Sequence, residues 1–313
     1  MENLLLAWRE FVRGKRNKKD VQEFGYALMT NILALHRDLK GNTYTHGAYE
    51  AFKVNDPKPR DIHKAAVRDR LLHHALYRKL YPFFDSTFIS DSYSCRRGKG
   101  THKAMQRFMQ YAHTVSKNNT RTCFVLKCDI KKFFASVDQR ILIGILRTRI
   151  KDDGILNLLH NIIGSFSSTT LGKGLPLGNL TSQLLVNIYM NEFDQHAKHT
   201  LKATHYIRYA DDFVILSHDR KTLETFLTKM RQFLEEKLAL TLHPNKVSIE
   251  TLSSGVDFLG WVHFPDHRVL RTNTKKRMLR RMRGLAKDET VVRSYRGLLR
   301  WGNGGKLQRR LFP

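Results

Sequence analysis

Asp211 and Asp212 stand side by side between apolar flanks, Tyr206-Ile207 upstream and Phe213-Val214-Ile215-Leu216 downstream. The run reads as strand, turn, strand with both acids at the tip. Burying adjacent charges of one sign is costly unless a cation compensates them. Mg²⁺ is the natural counter-ion, a hard ion that takes oxygen ligands and keeps phosphates in its shell. A second tandem pair, Asp152-Asp153, serves as an internal control. It lies between Lys151 and Gly154 and reads as a solvated turn. The apolar context, not the dipeptide, carries the constraint.

Charge narrows the partner. The 313 residues include 55 Lys and Arg against 28 Asp and Glu, a net charge of +27. Such an excess favours a polyanion, nucleic acid foremost, with affinity that falls as salt rises. The apolar fraction of 41% is that of an ordinary folded chain, and the length suffices for a sizeable core. Cys95, Cys123 and Cys128 match neither a disulfide framework nor zinc-ligand spacing. No secretory signal is present and no apolar run approaches membrane-spanning length. A reduced, cytoplasmic protein without membrane association is the expectation.

Periodicity gives the organisation. Val21, Phe24, Leu28, Ile32 and Leu35 recur as one buried helix face requires. Asp56-Pro57-Lys58-Pro59-Arg60 cannot be helical, and a further helix is expected over 62–81. Residues 123–130 read as a strand ending in an acid, 184–193 as a helix, and 206–216 as the hairpin around the tandem acids. An amphipathic helix follows over 223–238, with Asp219 as its N-cap. Short strands are expected over 247–251 and 256–261. From Arg268 the tail is basic, with apolar residues at helical spacing beneath the charge. Together these give an α+β architecture, an antiparallel sheet backed by helices with a basic helical appendage.

Joining a nucleotide to a growing strand uses two metal ions roughly 3.5–4 Å apart, gripped by carboxylates from separate strands. A hairpin bearing Asp211-Asp212 beside a strand ending at Asp129 supplies them. The surroundings then resemble a family, the reverse transcriptases of bacterial retroelements. Tyr209-Ala210-Asp211-Asp212 is similar to its catalytic hairpin, and residues 126–138 to its first catalytic strand and turn. Gly174-Leu175-Pro176-Leu177-Gly178-Asn179-Leu180-Thr181-Ser182-Gln183 resembles its template- and nucleotide-facing loop, and 240–246 and 256–261 its two later palm motifs.

The resemblance implies a right-hand polymerase, with fingers and palm over 1–262 (the catalytic palm from about 121) and a small helical thumb over 263–313. It implies copying of a structured template RNA into cDNA from a DNA or RNA primer 3′ end, with dNTPs and two Mg²⁺ ions, Mn²⁺ able to substitute. Asp129, Asp211 and Asp212 become the catalytic acids, with Asp129, Asp211 and the Ile130 carbonyl on the metals and Asp212 close by. Phe134 becomes the ring that excludes a ribose 2′-hydroxyl, whereas Phe133 suits the core. Lys53 and Arg60 would clasp the triphosphate, Arg as a fork and Lys as a point charge, with a solvated basic loop as the competing reading. Gly178 belongs to the nucleotide-facing loop. Lys246 would approach the leaving pyrophosphate, an exposed lysine being the alternative. Arg96 and Arg97 fall in a glycine-containing stretch that contacts the template backbone. Trp261 holds the primer end or else anchors the core. Asp138 is read as a turn stabiliser, His263 and His267 as a poor metal pair across Pro265, and His196 and His199 as surface positions.

One motif departs from the general pattern. Most reverse transcriptases carry Gln-Gly-x-x-x-Ser-Pro where this chain has Leu177-Gly178-Asn179-Leu180-Thr181-Ser182-Gln183. The variant resembles the enzymes of diversity-generating retroelements, which implies copying that is error-prone at template adenines, mutagenic retrohoming, and a small basic accessory protein. Leu177 has no amide with which to position a base, and lost hydrogen-bond readout weakens rejection of mispairs. No zinc-finger, nuclease-like or maturation segment follows the tail in this sequence, so the expectation is an enzyme that uses a supplied 3′ end. A related reverse transcriptase of phage defence or of a minimal group II intron keeps the same chemistry. A catalytically silent RNA-binding scaffold is the reading from another class, and in it Asp211→Asn would leave biological activity intact.

Overall fold

The computed structural model describes residues 1–55, 59–285 and 289–311. Asp56-Pro57-Lys58 of the non-helical loop, and Asp288, lie outside them. The chain packs into two bodies that interleave in sequence. One comprises Met1–Ile89, Ile130–His196 and Gln232–Thr241, the other Ser90–Asp129, Ala197–Arg231 and Leu242–Pro313.

The first body is helical with one β-ribbon. Helices α1 (Glu2–Phe11), α2 (Lys19–Tyr26) and α3 (Leu28–Lys40) open the chain. The single helix face expected over 21–35 is split at Ala27, whose φ of −110° and ψ of 36° leave the helical region. Gly25, a poor helix former, precedes the break. Strands β1 (Glu50–Val54) and β2 (Arg60–Lys64) then pair antiparallel. The helix expected from residue 62 begins later, as α4 (Val67–Asp85). Ile62 instead faces Phe52 across the ribbon, because Arg60-Asp61-Ile62-His63-Lys64 finds a partner strand. Pro82 lies in the last turn of α4, where its helix-breaking character ends the helix rather than kinking it.

Three helices frame a loop used below: α6 (Phe133–Ser136), α7 (Gln139–Arg149) and α8 (Asp153–Gly164). Asp138 caps α7, its carboxylate accepting from the Arg140 and Ile141 N–H groups. Asp152 caps α8 by accepting from the Ile155 N–H, so the control pair is an exposed helix start. Helix α9 (Leu180–Gln195) runs through the interior of this body, burying Leu184, Leu185, Ile188, Tyr189 and Phe193 together with the polar Asn187, Asn191 and Asp194. Helix α4 packs against both α1 and α9.

The second body holds the sheet. Strands β3 (Phe124–Asp129), β4 (Tyr206–Tyr209), β5 (Asp212–Ser217) and β6 (Ser248–Thr251) form an antiparallel sheet in the order β4-β5-β3-β6. Helix α5 (Thr101–Ser116) covers one face, laying Ala104, Phe108, Tyr111 and Val115 on Val125, Ile207, Val214 and Leu216. Each fully buried aliphatic side chain there contributes about 1.5–3 kcal/mol. Helix α10 (Arg220–Leu238) starts at Asp219, which accepts from the Lys221 and Thr222 N–H groups as its N-cap.

The strand expected over 256–261 is two strands, β7 (Val256–Phe258) and β8 (Trp261–His263), reversed at Leu259-Gly260, where both φ angles are positive. Strand β9 (Arg268–Leu270) completes that sheet. In the tail, α11 (Thr272–Leu285), α12 (Glu289–Leu299) and α13 (Gly305–Leu311) gather Met278, Met282 and Leu299 around Trp261. Among the described residues no helix is long and apolar enough to cross a membrane.

A buried polar node fixes the first body. Asp69 is 1% exposed and accepts from the Tyr44 hydroxyl at 2.7 Å and the Gly47 N–H at 3.1 Å. His46 Nδ1 sits 2.7 Å from the Gly47 carbonyl, so this nitrogen donates and His46 Nε2 accepts. His73 Nε2 faces it at 3.3 Å. Burial first, then the charges of His46, His74 and Arg70, pushes His73 down to about 3. A base depressed in the folded state stays neutral there while the unfolded chain takes up the proton near its ordinary 6.5. Its contribution to stability is therefore whole above pH 6.5 and declines as pH falls toward 3. Denaturant titrations between pH 7 and 5 are expected to show stability falling by up to about 1.4 kcal/mol per pH unit from this group, and His73→Leu should flatten that slope. An unchanged slope in the variant would remove His73 as its source.

Candidate active site

The register of the catalytic strands brings the acids together. Asp129, the last residue of β3, faces Asp212, the first of β5. Directly opposed residues on an antiparallel pair hold their Cβ atoms about 4.5–5.5 Å apart, and like charges there repel. Tyr209 pairs with Asp212, so Ala210-Asp211 is a two-residue turn. Ala210 has φ of 57°, a conformation that costs a non-glycine residue roughly 1–2 kcal/mol.

A buried arginine holds this strained turn. Arg208 is fully buried, and its Nη1 donates to the Ala210 carbonyl at 3.1 Å while Nη2 donates to Ser92 Oγ at 3.1 Å. Its backbone pairs with the 91–93 segment, the Arg208 N–H donating to the Asp91 carbonyl and the Tyr93 N–H to the Arg208 carbonyl, each at 3.0 Å. Thr101 Oγ1 donates to the Tyr209 hydroxyl at 3.2 Å. Nothing in the sequence reading covers Arg208, and Ser92 enters it only as the start of the stretch expected to contact the template. A basic residue inside the apolar run Tyr206-Ile207-Arg208-Tyr209 was the available signal.

Electrostatics reflect the crowding. Asp129 is 8% exposed, and Asp211 and Asp212 are half-buried. Burial, then Asp211, then Asp129, pushes the Asp212 carboxyl up to about 7, with Lys127 opposing. Lys246 Nζ lies 2.8 Å from each carboxylate oxygen of Asp129. The Asp129 carbonyl in turn accepts from the His243 N–H at 2.7 Å. Among the described residues no three His, Cys, Asp or Glu side chains are closed into a ready metal cage. The donors are nevertheless all carboxylate oxygens short of positive charge, the chemistry a hard divalent ion satisfies.

Of the expected nucleotide-side residues, Lys53, Arg60, Phe134 and Gly178 lie in the first body and Lys246 in the second. The Phe134 carbonyl accepts from the Leu175 N–H at 2.8 Å, and the Leu177 carbonyl from the His63 N–H at 3.1 Å. The 174–183 loop is thereby stitched to both Phe134 and β2. Gly178 has φ of 107°, and a Cβ there would lie 3.0 Å from Ile62 Cγ2, so glycine is required on two counts. Phe133 is buried and Phe134 half-exposed, the division expected of a core ring and a gate. Ser182 is buried, while Leu177 and Gln183 are half-buried. Lys53 and Arg60 are both exposed on the ribbon. Lys53 pairs with Asp61 and Arg60 with Val54, which sets them on opposite faces. Ile130 directly follows Asp129 and its side chain is buried.

Other expectations are corrected. Trp261 is 2% exposed, and a Cβ on Gly302 would overlap its ring, so it is a core anchor with no face free for a primer. Arg97 is exposed, but half-buried Arg96 turns back to donate to the Ser92 carbonyl at 3.1 Å. His196 stacks on Phe233 at 4.1 Å between ring centroids and is half-buried rather than superficial. The reading of His263 and His267 as a poor pair needs no correction: His263 is buried with Nε2 3.3 Å from the Phe258 carbonyl, and His267 sits against Asp266.

The repulsion among the acids is measurable. In metal-free protein the Asp212 carboxyl is expected to titrate near 7 by ¹³C NMR, and Asp211→Asn should move it down toward the ordinary carboxylate range. Because the folded value is raised, ionisation between about pH 4 and 7 costs stability, so metal-free Asp212→Asn should melt higher than wild type at pH 8. A carboxyl titrating near 4 in the wild type would contradict this electrostatic picture.

Residues 53–263, well over half of the chain, match the family described as reverse transcriptase (RNA-dependent DNA polymerase). The YkfC protein of Escherichia coli is 28% identical over 257 residues, covering 70% of this chain and 65% of that protein. The group II intron-encoded protein LtrA of Lactococcus lactis is 23% identical over 292 residues, covering 72% and 47%. The chain thus spans less than two thirds of the length of these relatives. Among solved structures, apo telomerase from Candida tropicalis, truncated from its C-terminal domain, superposes with a TM-score of 0.55 at 14% identity, covering 78% of this chain and 60% of that one. Telomerase from Candida albicans, in complex with a fragment of telomeric RNA, gives 0.54 at 12% identity, covering 72% and 47%. The α+β fold is that of a reverse transcriptase, and with strand β3, the Asp211-Asp212 hairpin and the 174–183 loop inside the matched span, this chain belongs to the reverse transcriptase (RNA-dependent DNA polymerase) family.

Proposed function

We propose that the chain is an RNA-directed DNA polymerase of a diversity-generating retroelement, copying a structured template RNA into cDNA in the cytoplasm with frequent errors at adenines. The observation that carries the polymerase reading is the Asp129–Asp212 register with Asp211 at the adjoining turn. Asp129 and Asp211 would hold two Mg²⁺ ions, with Mn²⁺ able to substitute and the Ile130 carbonyl on the nucleotide side. Bound there, the ions supply activation of the primer 3′-oxygen and neutralisation of the leaving pyrophosphate. The protein's own groups do the remainder. Phe134 presents a rigid ring to the sugar of a dNTP and leaves no room for a 2′-hydroxyl. Arg60 offers its guanidinium fork to phosphate oxygens, with Lys53 contributing a mobile charge from the other face of the ribbon. Arg97 meets the template backbone.

Leu177 and Gln183 support the subtype. Leu177 stands in the nucleotide-facing loop, its carbonyl tied to β2, and offers a base shape but no hydrogen bond. A small basic accessory protein and a DNA or RNA primer 3′ end complete the proposed assembly. Similarity to LtrA favours a second reading, an intron-type enzyme using the same acids for faithful copying.

Primer extension with Mg²⁺ on template RNA, with the accessory protein present, tests both levels. Asp129→Asn and Asp211→Asn should each lower the rate by at least roughly two to three orders of magnitude. Full extension by either variant would remove these acids as the catalytic centre, whereas a silent scaffold predicts no extension by the wild type and a biological activity that survives Asp211→Asn. Sequenced products should carry errors concentrated opposite adenines, and Leu177→Gln should reduce that excess. Adenines copied as accurately as other bases would favour the intron-type reading.

A further inference from the structure

Asp129 already has a cation. The Lys246 ammonium is equidistant from both carboxylate oxygens, at 2.8 Å, and so engages the whole carboxylate. The turn that delivers it is anchored on the same residue. The His243 N–H donates to the Asp129 carbonyl at 2.7 Å, and the Lys246 N–H donates to the His243 carbonyl at 3.2 Å. The two partners differ in freedom: the Lys246 side chain is 41% exposed and that of Asp129 only 11%. The ammonium therefore has an open route back to water along a flexible stem, whereas the carboxylate stays where β3 holds it.

We propose that Lys246 is the built-in counter-cation of the metal-free site, held on Asp129 until a divalent ion displaces it. The inference rests on the reading of Asp129 and Asp211 as metal ligands. A divalent ion and the ammonium compete for the same two oxygens, so binding the one releases the other. With no ion bound, the lysine offsets part of the repulsion among three crowded acids. Once an ion is bound, the ammonium is freed on its anchored turn and becomes available to another anion. Loading of the site thus controls where Lys246 points. With its lysine partner open to water, the ion pair is of the modest strength that competition of this kind requires, enough to depress metal affinity about twofold to fivefold without closing the site.

The test is a Mn²⁺ titration of the full chain, metal-free and without nucleic acid, followed by electron paramagnetic resonance. Lys246→Met should bind Mn²⁺ about twofold to fivefold more tightly than wild type, while Lys246→Arg, which keeps the charge, should not tighten. Metal-free Lys246→Met should melt below wild type and gain more in melting temperature from Mn²⁺. Asp129→Asn should weaken Mn²⁺ binding in either background. Equal or weaker binding by Lys246→Met, with Asp129→Asn still damaging, would overturn the counter-cation and leave the metal reading intact. Mn²⁺ binding insensitive to both Asp129→Asn and Asp211→Asn would overturn the metal reading, and the inference with it.

Discussion

Two carboxylates held face to face across an antiparallel strand pair form the constraint on which this protein turns. The backbone hydrogen bonds of β3 and β5 oppose Asp129 and Asp212, and the tight turn adds Asp211 beside them. Apolar burial of both strands leaves the acids no way to spread apart. Burial, and then the neighbouring acids, raise the Asp212 carboxyl, and a lysine is drawn onto Asp129. Repulsion of this kind gives folding nothing, and its natural use is to bind a cation that is not part of the chain.

The surroundings stiffen that arrangement. A fully buried arginine braces the carbonyl of a left-handed alanine and reaches the serine of a neighbouring segment. Strain at the turn persists because the sheet and Arg208 over-determine it. In the other body, the loop carrying Leu177 and Gly178 is stitched to the segment bearing Phe134 and to the β-ribbon bearing Arg60. Leu177 therefore sits on a braced surface rather than a loose loop.

Much of this was legible in the sequence, and the exceptions have physical causes. The hairpin acids, the strand ending at Asp129 and the cap at Asp219 follow from local periodicity and side-chain chemistry, while Asp138, read as a turn stabiliser, proves to be the cap of α7. The β-ribbon was misread because Ile62 lies within reach of a helical pattern, and only its pairing with Phe52 decides for a strand. Trp261 was ambiguous because burial is a tertiary property. Its fate depends on helices that begin ten or more residues downstream. Arg208 was overlooked because a charged residue in an apolar strand makes sense only once its acceptors, contributed by a distant segment and by the turn itself, are in view. For Lys246 the sequence offers the leaving pyrophosphate or open solvent, and its partner Asp129 emerges only through a turn anchored on that residue's carbonyl.

The most direct measurement is an anomalous difference map from crystals grown with Mn²⁺. Density about 2.1 Å from carboxylate oxygens of Asp129 and Asp211, with the Lys246 ammonium withdrawn from Asp129, is the expected result. Crystals saturated with Mn²⁺ that show no peak at these acids, with Lys246 still seated on Asp129, would contradict the view that their crowding exists to hold metal.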